Sequence, residues 1–357
     1  MKYHGIAFLC GFILDLILGD PEGWPHPVRW IGRLIAFLDE KFMGKQEKGV
    51  VQKKSDGAEK RSGGKGNGNS TGSGAEKKAA NKKAYRKGIL LVLIVVTASA
   101  AGAAVPLIIG YSVHPVLGII IETILTWWLL AIRSLRTESM AVYRKLAKKD
   151  LPGAQKQVAR IVGRDTDVLD EKGVARAAVE TIAESTCDGI LAPMLYTAIA
   201  GPVLGFAAKA INTMDSMVGY KSERYKYFGR AAALIDDAVN FLPARLSALC
   251  IIAAAYILRD PVFSGADAVR IYRRDHKKSA SPNAGHPESA IAGAMGIRLG
   301  GGAVYSGRFL PKDYMGDRKR PIEAKDIPRA NTLMITASVV ALVVFLLLIG
   351  FVWILSW

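Results

Sequence analysis

Three acidic side chains recur at four-residue intervals directly before a long apolar stretch. They are Glu180, Glu184 and Asp188, in the segment ETIAESTCDG that precedes ILAPMLYTAIAGPVLGF. Residues spaced in this way lie on one face of a helix, with Arg176 one turn earlier. Carboxylates at a boundary with lipid are costly, and their presence there indicates a functional site. The alternative, which periodicity alone favours, is a solvated helix face with an ordinary Arg–Glu pair.

A second group of carboxylates and carboxamides lies at both edges of the polar segment 212–238. Oxygen ligands of this kind suit hydrated Mg²⁺, and lysine and arginine suit phosphate. A chance hydrophilic hairpin would explain the charges but not their position beside apolar helices. We therefore predict as catalytic acids, bases or Mg²⁺ ligands Glu184, Asp188, Asp215, Asp236 and Asp237, with Glu184, Asp188 and Asp215 as the metal ligands.

The predicted substrate-binding residues are cations, carboxamides and one tyrosine: His26, Arg29, Asn212, Tyr220, Lys221, Arg224, Arg245 and Asn283. Pro27 suits the first position of a helix, so His26 and Arg29 lie at a helix N-terminus, where free N–H groups bind anions. Arginines snorkelling from an interfacial helix are an equal alternative. His286, a lone loop histidine, is not among the predicted site residues.

Several familiar motifs are missing from the sequence. It contains no G-x-x-x-x-G-K-[ST] loop and no H-E-x-x-H, and its G-x-S-x-G match, at 68–72, belongs to the Gly/Ser/Asn-rich low-complexity segment rather than to a strand–turn–helix pattern. Cys10, Cys187 and Cys250 have no metal-ligand spacing and indicate no disulfide framework. A nucleotide, if one is used, is therefore not held by a Walker-type loop.

Half of the residues are hydrophobic and mean hydropathy is +0.21, which is too apolar for an average soluble domain. Candidate membrane segments are 3–19, 88–109, 114–132, 190–211, 239–258 and 332–357. No strand alternation of any length is present. We predict an all-α, polytopic integral membrane protein with four to six membrane helices plus amphipathic interfacial helices. Prolines and glycines interrupt 190–211, which favours a re-entrant or surface-lying segment there.

The formal net charge of +17 is unevenly spread, and a basic Gly/Ser/Asn-rich segment carries much of it. We divide the chain into a first membrane helix with an interfacial helix (1–42), a disordered basic insert (43–87) and a helical membrane catalytic domain (88–357). We predict that the insert is a solvated loop and that the protein has no nucleic-acid partner. Most Lys and Arg residues fall on one side of the predicted topology, so the positive-inside rule places the active site at the cytoplasmic side of the cell membrane.

Four ordered blocks of this sequence resemble the CobD/CbiB family of cobalamin biosynthesis. They are LILGDPEGWPHPVRWIGRLI, ARAAVETIAESTCDGILAPMLY, NTMDSMVGYKSERYKYFGRAAALIDDAVNFLPARL and SPNAGHPESAIAGAMGIRLGG. The resemblance implies a membrane-embedded adenosylcobinamide-phosphate synthase, a ligase that forms an acid–amine amide bond. Its implied substrates are adenosylcobyric acid and (R)-1-amino-2-propanol O-phosphate, with ATP as co-substrate and Mg²⁺ as cofactor. The lipid bilayer is a predicted partner, and a separate hypothesis is that other corrinoid-pathway enzymes hand over the bulky corrinoid at the cytoplasmic surface.

Three other functions compete with this interpretation. A membrane amino-alcohol phosphotransferase of the CDP-dependent class needs D-G-x-x-A-R, but Asp188-Gly189 is followed here by ILAP. A corrinoid transporter would explain broken helices with charges at the membrane edge, yet no inverted repeat is visible. A membrane scaffold without catalysis is the third alternative.

Overall fold

The computed structural model describes residues 3–20, 23–24, 26–44, 74–220, 222–305 and 307–355, and these are almost entirely helical. The helices are α1 His4–Leu18, α2 Pro27–Met43, α3 Gly74–Val113, α4 Pro115–Trp127, α5 Ile132–Ala147, α6 Leu151–Val158, α7 Glu171–Ser185, α8 Ala192–Val218, α9 Arg230–Val239, α10 Phe241–Ile257, α11 Gly265–Asp275, α12 Gly285–Met295 and α13 Asp326–Leu355. A π-helical turn, Thr186–Leu191, joins α7 to α8. One antiparallel hairpin pairs β1 (Ala303–Tyr305) with β2 (Arg308–Leu310). The predicted all-α class is confirmed, with this hairpin as a small exception.

Four helical segments of the described chain are long and apolar enough to cross a membrane. They are Lys77–Val113, Pro115–Ala147, Glu171–Val218 and Asp326–Leu355, and the bent pair α9–α10 is a fifth candidate. Large apolar side chains on them are exposed, as expected of surfaces that face lipid. The protein is therefore a multi-pass membrane protein, as predicted.

The long segment Glu171–Val218 is not one straight rod. Its backbone leaves helical geometry at Ala200 and Gly201, and Gly201 has a φ of 71°. A side chain added at Gly205 would meet Thr197 Oγ1 at 2.5 Å. In a straight helix these two residues would be separated by about 12 Å along the axis. The chain therefore turns back at Gly201, and α8 is a helical hairpin, the shape that a re-entrant segment at 190–211 would have.

The tip of this hairpin packs beside a buried carboxylate. Glu122, in α4, is 5% exposed and is hydrogen-bonded by His4 and by the Tyr111 hydroxyl. A Cβ at Gly201 would lie 3.8 Å from Glu122 Oε1. Glu122 therefore links α1, α3 and α4 close to the hairpin tip.

Local sequence explains the two helices that position the site. Pro27 begins α2, and the His26 imidazole caps it by accepting a hydrogen bond from the Val28 N–H. The apolar stripe of α2, including Ile31 and Ile35, is buried in one of the two hydrophobic cores. The α7 helix begins after Asp170, whose carboxylate accepts from the Gly173 N–H, and its apolar side lies in the other core.

The structure describes only part of the predicted disordered insert, 43–87. Residues 45–73 lie outside the described residues. Residues 74–87, however, are helical and continue into the membrane helix α3, so the insert's predicted C-terminal boundary differs from the structure. The Ala- and Lys-rich sequence there consists of strong helix formers attached to an apolar helix, which explains the extension.

Candidate functional site

A polar cavity of about 580 Å³ lies between α5, α7 and the second arm of the α8 hairpin. We call it the main cavity. Its walls come from the beginning of α5, the loop before α7, the end of α7, the π-helical turn, the second arm of α8 and the segment around the β-hairpin. Its polar lining residues are Ser134, Glu138, Arg164, Thr181, Glu184, Ser185, Asp188, Lys209, Asn212, Ser216, Tyr220, Tyr305 and Lys312.

Two of the predicted catalytic carboxylates, Glu184 and Asp188, line the main cavity together. Glu184 is one turn before Asp188, and the change from α- to π-helix begins between them, at Thr186. The two carboxylates are close enough to interact electrostatically. Single π-turns inside helices are frequent at functional sites, and this one places Asp188 beside the hairpin.

The other predicted acids lie next to this pair. Asn212 lines the main cavity and its Nδ2 donates to Asp236 Oδ1 at 3.5 Å. Asp215 interacts electrostatically with Glu184 and Asp237, and Asp236 interacts with Asp188. The structure thus places all five predicted acids within electrostatic reach of one another as a connected group. Their catalytic roles stay predictions.

A preformed metal site is not evident among these acids. Within the described part of the chain, no group of three or more His, Cys, Asp and Glu side chains is arranged to hold a metal ion. Mg²⁺ often binds through only one or two carboxylates, with water and substrate phosphate as its other ligands. The Glu184–Asp188 pair fits this donor set. The assignment of Mg²⁺ to Glu184, Asp188 and Asp215 remains a prediction.

Three cations that line the main cavity are absent from the predicted site: Arg164, Lys209 and Lys312. Lys209 interacts with Asp188, and Lys312 interacts with Glu184. The sequence alone could have indicated Lys209 as a functional residue, because it is the one charged residue in the apolar segment 190–211. Arg164 and Lys312 come from loops without periodicity, and no sequence pattern marked them.

A buried ion pair supports the wall of the main cavity. Arg164 Nη2 lies 2.6 Å from Glu180 Oε2, and Glu180 Oε1 accepts a hydrogen bond from the Gly300 N–H at 2.7 Å. Glu180 is 4% exposed and pairs with Arg164 rather than Arg176, so the solvated-face alternative is wrong for this residue. Its carboxylate ties α7 to the loop before it and to the segment that leads to Lys312.

Glu288, in α12, lies against the same charged group. Burial raises the pKa of its carboxyl to about 8, and Glu180 and Glu184 raise it in the same direction. Lys312 opposes this shift. A carboxyl in such surroundings holds a proton near neutral pH.

A second, smaller cavity of about 260 Å³ adjoins the main cavity. We call it the side cavity. His26 and Arg29 line it, as do Asp20 and Trp24, and it shares Ala131 and Lys209 with the main cavity. The predicted anion site at the start of α2 is therefore next to the predicted acids.

Residues 220–225 divide between the site and a separate contact. Tyr220 lines the main cavity, whereas Lys221 lies outside the described residues. Arg224 contacts Asp39 at 3.2 Å and donates to the Gly44 carbonyl at 2.8 Å. The Tyr225 hydroxyl also donates to Asp39. Arg224 thus holds the end of α2 and does not line either cavity, because the polar loop folds back onto α2.

Asn283 and Arg245 lie behind the acids rather than in the main cavity. Asn283 Nδ2 donates to the Asp237 carbonyl at 2.9 Å, so Asn283 holds the end of α9. Arg245 stacks on the Phe241 ring, 3.4 Å from its centroid, and bonds its carbonyl. Neither side chain lines the main or the side cavity, and their predicted substrate contacts are not supported by this geometry.

Arg245 also lies near a cluster of rings that includes His286. Burial lowers the pKa of His286 to about 4, and Arg245 and His276 lower it in the same direction. The Tyr272 hydroxyl lies 3.1 Å from His286 Nδ1. An unfolded histidine titrates near pH 6.5, so the unfolded chain takes up this proton first as pH falls. The stability contributed by neutral His286 is therefore present above pH ~6.5 and is lost as pH falls to about 4.

Nearly the whole chain is similar to known proteins. A model of the family described as CobD/Cbib protein matches residues 8–334. The Cobalamin biosynthesis protein CobD of Clostridium perfringens is 35% identical over 343 residues, which cover 96% of this chain and 97% of that protein. CobD of Geobacter metallireducens is 41% identical over 325 residues, 91% of this chain and 90% of that protein.

A relative with the other printed name is equally similar. The Cobalamin biosynthesis protein CbiB of Salmonella typhimurium is 39% identical over 338 residues, which cover 94% of this chain and 95% of that protein. No solved structure matches the chain. From its full-length similarity to these proteins, the chain belongs to the CobD/Cbib protein family, which has a role in cobalamin biosynthesis.

Proposed function

We propose that this protein is a ligase that joins adenosylcobyric acid to (R)-1-amino-2-propanol O-phosphate through an amide bond, at the cost of one ATP. Membership of a cobalamin-biosynthesis family supports a corrinoid substrate. The observation that carries the chemistry is the main cavity, where Glu184 and Asp188 share one space with Lys209, Arg164 and Lys312. Acid activation by phosphoryl transfer needs cations for phosphate and carboxylates for a metal ion or a proton.

The first step activates the corrinoid propionate. A carboxylate oxygen attacks the γ-phosphorus of ATP, the bond from this phosphorus to the bridging oxygen breaks, and ADP leaves with the electron pair. Lys209, Lys312 and Arg164 neutralise the charge that spreads over the phosphoryl oxygens. The result is an acyl phosphate, whose phosphate is a good leaving group.

Glu184 and Asp188 would hold Mg²⁺ together with nucleotide phosphates and water. When bound, the ion supplies further charge neutralisation at those phosphates. This role agrees with the pair of carboxylates at the cavity wall and requires no third protein ligand.

The second step forms the amide. The ammonium group of the amino-alcohol phosphate first loses a proton to a carboxylate, and the free amine then attacks the acyl carbon. The bond from that carbon to the phosphate oxygen breaks, and the departing phosphate takes the electron pair and the second proton of the nitrogen. Asp236 is 9% exposed, is bonded by Asn212, and lies beside Asp188 and Asp215. Asp215, Asp236 and Asp237 are the candidates for this base. A carboxylate in such a role contributes roughly 10²–10⁴-fold to the rate.

The proposed location of this reaction is the cytoplasmic side of the cell membrane. The distribution of Lys and Arg supports it, through the positive-inside rule. A membrane-bound site would also let other corrinoid enzymes pass on a bulky intermediate at the same surface. Co-purification of corrinoid-pathway enzymes with this protein would support that arrangement, and full activity of the isolated protein without partners would count against it.

The test uses full-length protein purified in detergent. With adenosylcobyric acid, amino-alcohol phosphate and Mg-ATP, we expect an amide product by mass spectrometry and one ADP for each amide. Lys209→Gln should lower kcat by at least about 10²-fold. The matched control is Lys319→Gln, because Lys319 pairs with Asp267 at the surface, away from both cavities. Absence of amide and of corrinoid-dependent ADP would reject the ligase, and corrinoid uptake by vesicles without ADP would favour a transporter.

A further inference from the structure

The side cavity is too small for a corrinoid or a nucleotide. Its volume is about 260 Å³, whereas pockets that hold drug-sized molecules measure roughly 300–1,000 Å³. It adjoins the main cavity, since Ala131 and Lys209 line both. A small ligand bound there would lie next to the place where the acid is activated.

His26 presents a buried hydrogen-bond donor whose nearest acceptor is poorly aligned. Its Nδ1 accepts from the Val28 N–H, so this nitrogen is unprotonated and Nε2 carries the hydrogen. Nε2 lies 3.3 Å from Asp20 Oδ1, close enough to interact with this carboxylate but without the geometry of a full hydrogen bond. An anionic oxygen in the side cavity would satisfy this donor better than Asp20 alone does.

Two cations accompany this donor. Arg29, in the first turn of α2, lines the side cavity, and the N-terminus of that helix adds partial positive charge. Lys209 lies at the junction, and its Nζ makes no hydrogen bond or close ion pair with any side chain that the structure describes. Together these groups suit phosphate.

The side cavity also contains one carboxylate. Asp20 follows Gly19, whose positive φ of 61° ends α1, and the Gly19 carbonyl is held by Trp127 Nε1 at 2.9 Å. Burial raises the pKa of Asp20, but His26, a hydrogen bond from Ser134 and the charge of Lys209 together lower it by more, so the pKa lies below its usual value. Asp20 is therefore ionised at neutral pH and suits an ammonium group.

We propose that the side cavity binds the amine substrate, a small zwitterion with a phosphate and a primary ammonium group. His26 Nε2–H and Arg29 bind the phosphate, Asp20 binds the ammonium, and Lys209 separates this pocket from the acid-activating cavity. The proposal rests on the ligase function above and adds to it the pocket and the residues that select the amine.

The experiment measures KM for each substrate in full-length variants. His26→Asn removes the Nε2 donor but keeps a good N-cap residue, and Arg29→Gln removes the guanidinium. We expect each to raise KM for the amino-alcohol phosphate about tenfold or more, with KM for ATP and for the corrinoid within twofold. Arg33→Gln, one turn further along α2 and lining neither cavity, is the control and should change no KM by more than twofold.

Calorimetric binding to the same detergent-solubilised proteins separates the two recognition groups. Asp20→Asn should weaken amino-alcohol phosphate about tenfold while leaving inorganic phosphate unchanged, and Arg29→Gln should weaken both. If the variants instead raise KM for ATP or corrinoid, or change no KM and no binding constant, the pocket assignment is wrong. If wild-type protein makes no amide but shows this binding pattern, the ligase function fails and the zwitterion pocket stands.

Discussion

Glu180→Gln tests the ion pair that supports the cavity wall. The side chains of Glu180 and Arg164 are 5% and 12% exposed, and their charged atoms are 2.6 Å apart. Removal of one partner from a buried pair costs about 3–5 kcal/mol, because the other charge is left uncompensated. Glutamine keeps an oxygen that can accept from the Gly300 N–H, so the expected loss lies near the lower limit, about 3 kcal/mol.

The assay is unfolding of detergent-solubilised protein, followed by tryptophan fluorescence, with a double-mutant cycle that adds Arg164→Gln. The coupling energy should lie within the ~0.5–3 kcal/mol range of contacting residues. Glu323→Gln is the matched control, because Glu323 is 52% exposed where it pairs with Arg329 and should lose at most about 1 kcal/mol. Equal effects of Glu180→Gln and Glu323→Gln would refute the reasoning.

Three further predictions test other parts of the structure. His286→Gln should flatten the fall in stability between pH ~6.5 and 4 by up to about 3 kcal/mol relative to wild type, measured by unfolding at each pH, and parallel curves would contradict the neutral histidine. Cysteines replacing Thr197 and Gly205 should form a disulfide on mild oxidation, seen by mass spectrometry, because α8 turns back between them, whereas a straight helix would give none. Arg224→Gln should leave every KM unchanged while lowering thermal stability, since Arg224 binds Asp39 rather than substrate. A tenfold change in any KM would show instead that Arg224 contacts substrate.

Helix periodicity was sufficient to find the acidic part of the site. Spacing by four placed Glu184 and Asp188 on one side of a helix, and both line the main cavity. Proline at the first turn likewise located the start of α2, and with it His26 and Arg29. These residues were predictable because their positions depend on one helix at a time.

The cations of the main cavity depend on tertiary packing that local pattern does not encode. Arg164 and Lys312 come from irregular segments, far apart in sequence, and meet only through Glu180 and its neighbours. The contact of Arg224 was not predictable for the same reason, because its partner Asp39 belongs to a distant helix. The π-helical turn before Asp188 is likewise not predicted by the spacing of apolar and acidic residues around it.

The central claim is that the main cavity catalyses acid–amine ligation with its carboxylate pair. The most direct measurement is amide formation by purified Asp188→Asn protein, beside wild type and Asp317→Asn, whose surface carboxylate pairs with Arg270 and Arg274. We predict at least a 10²-fold loss of kcat for Asp188→Asn and near-normal turnover for Asp317→Asn. Wild-type turnover by a correctly folded Asp188→Asn protein would contradict the account.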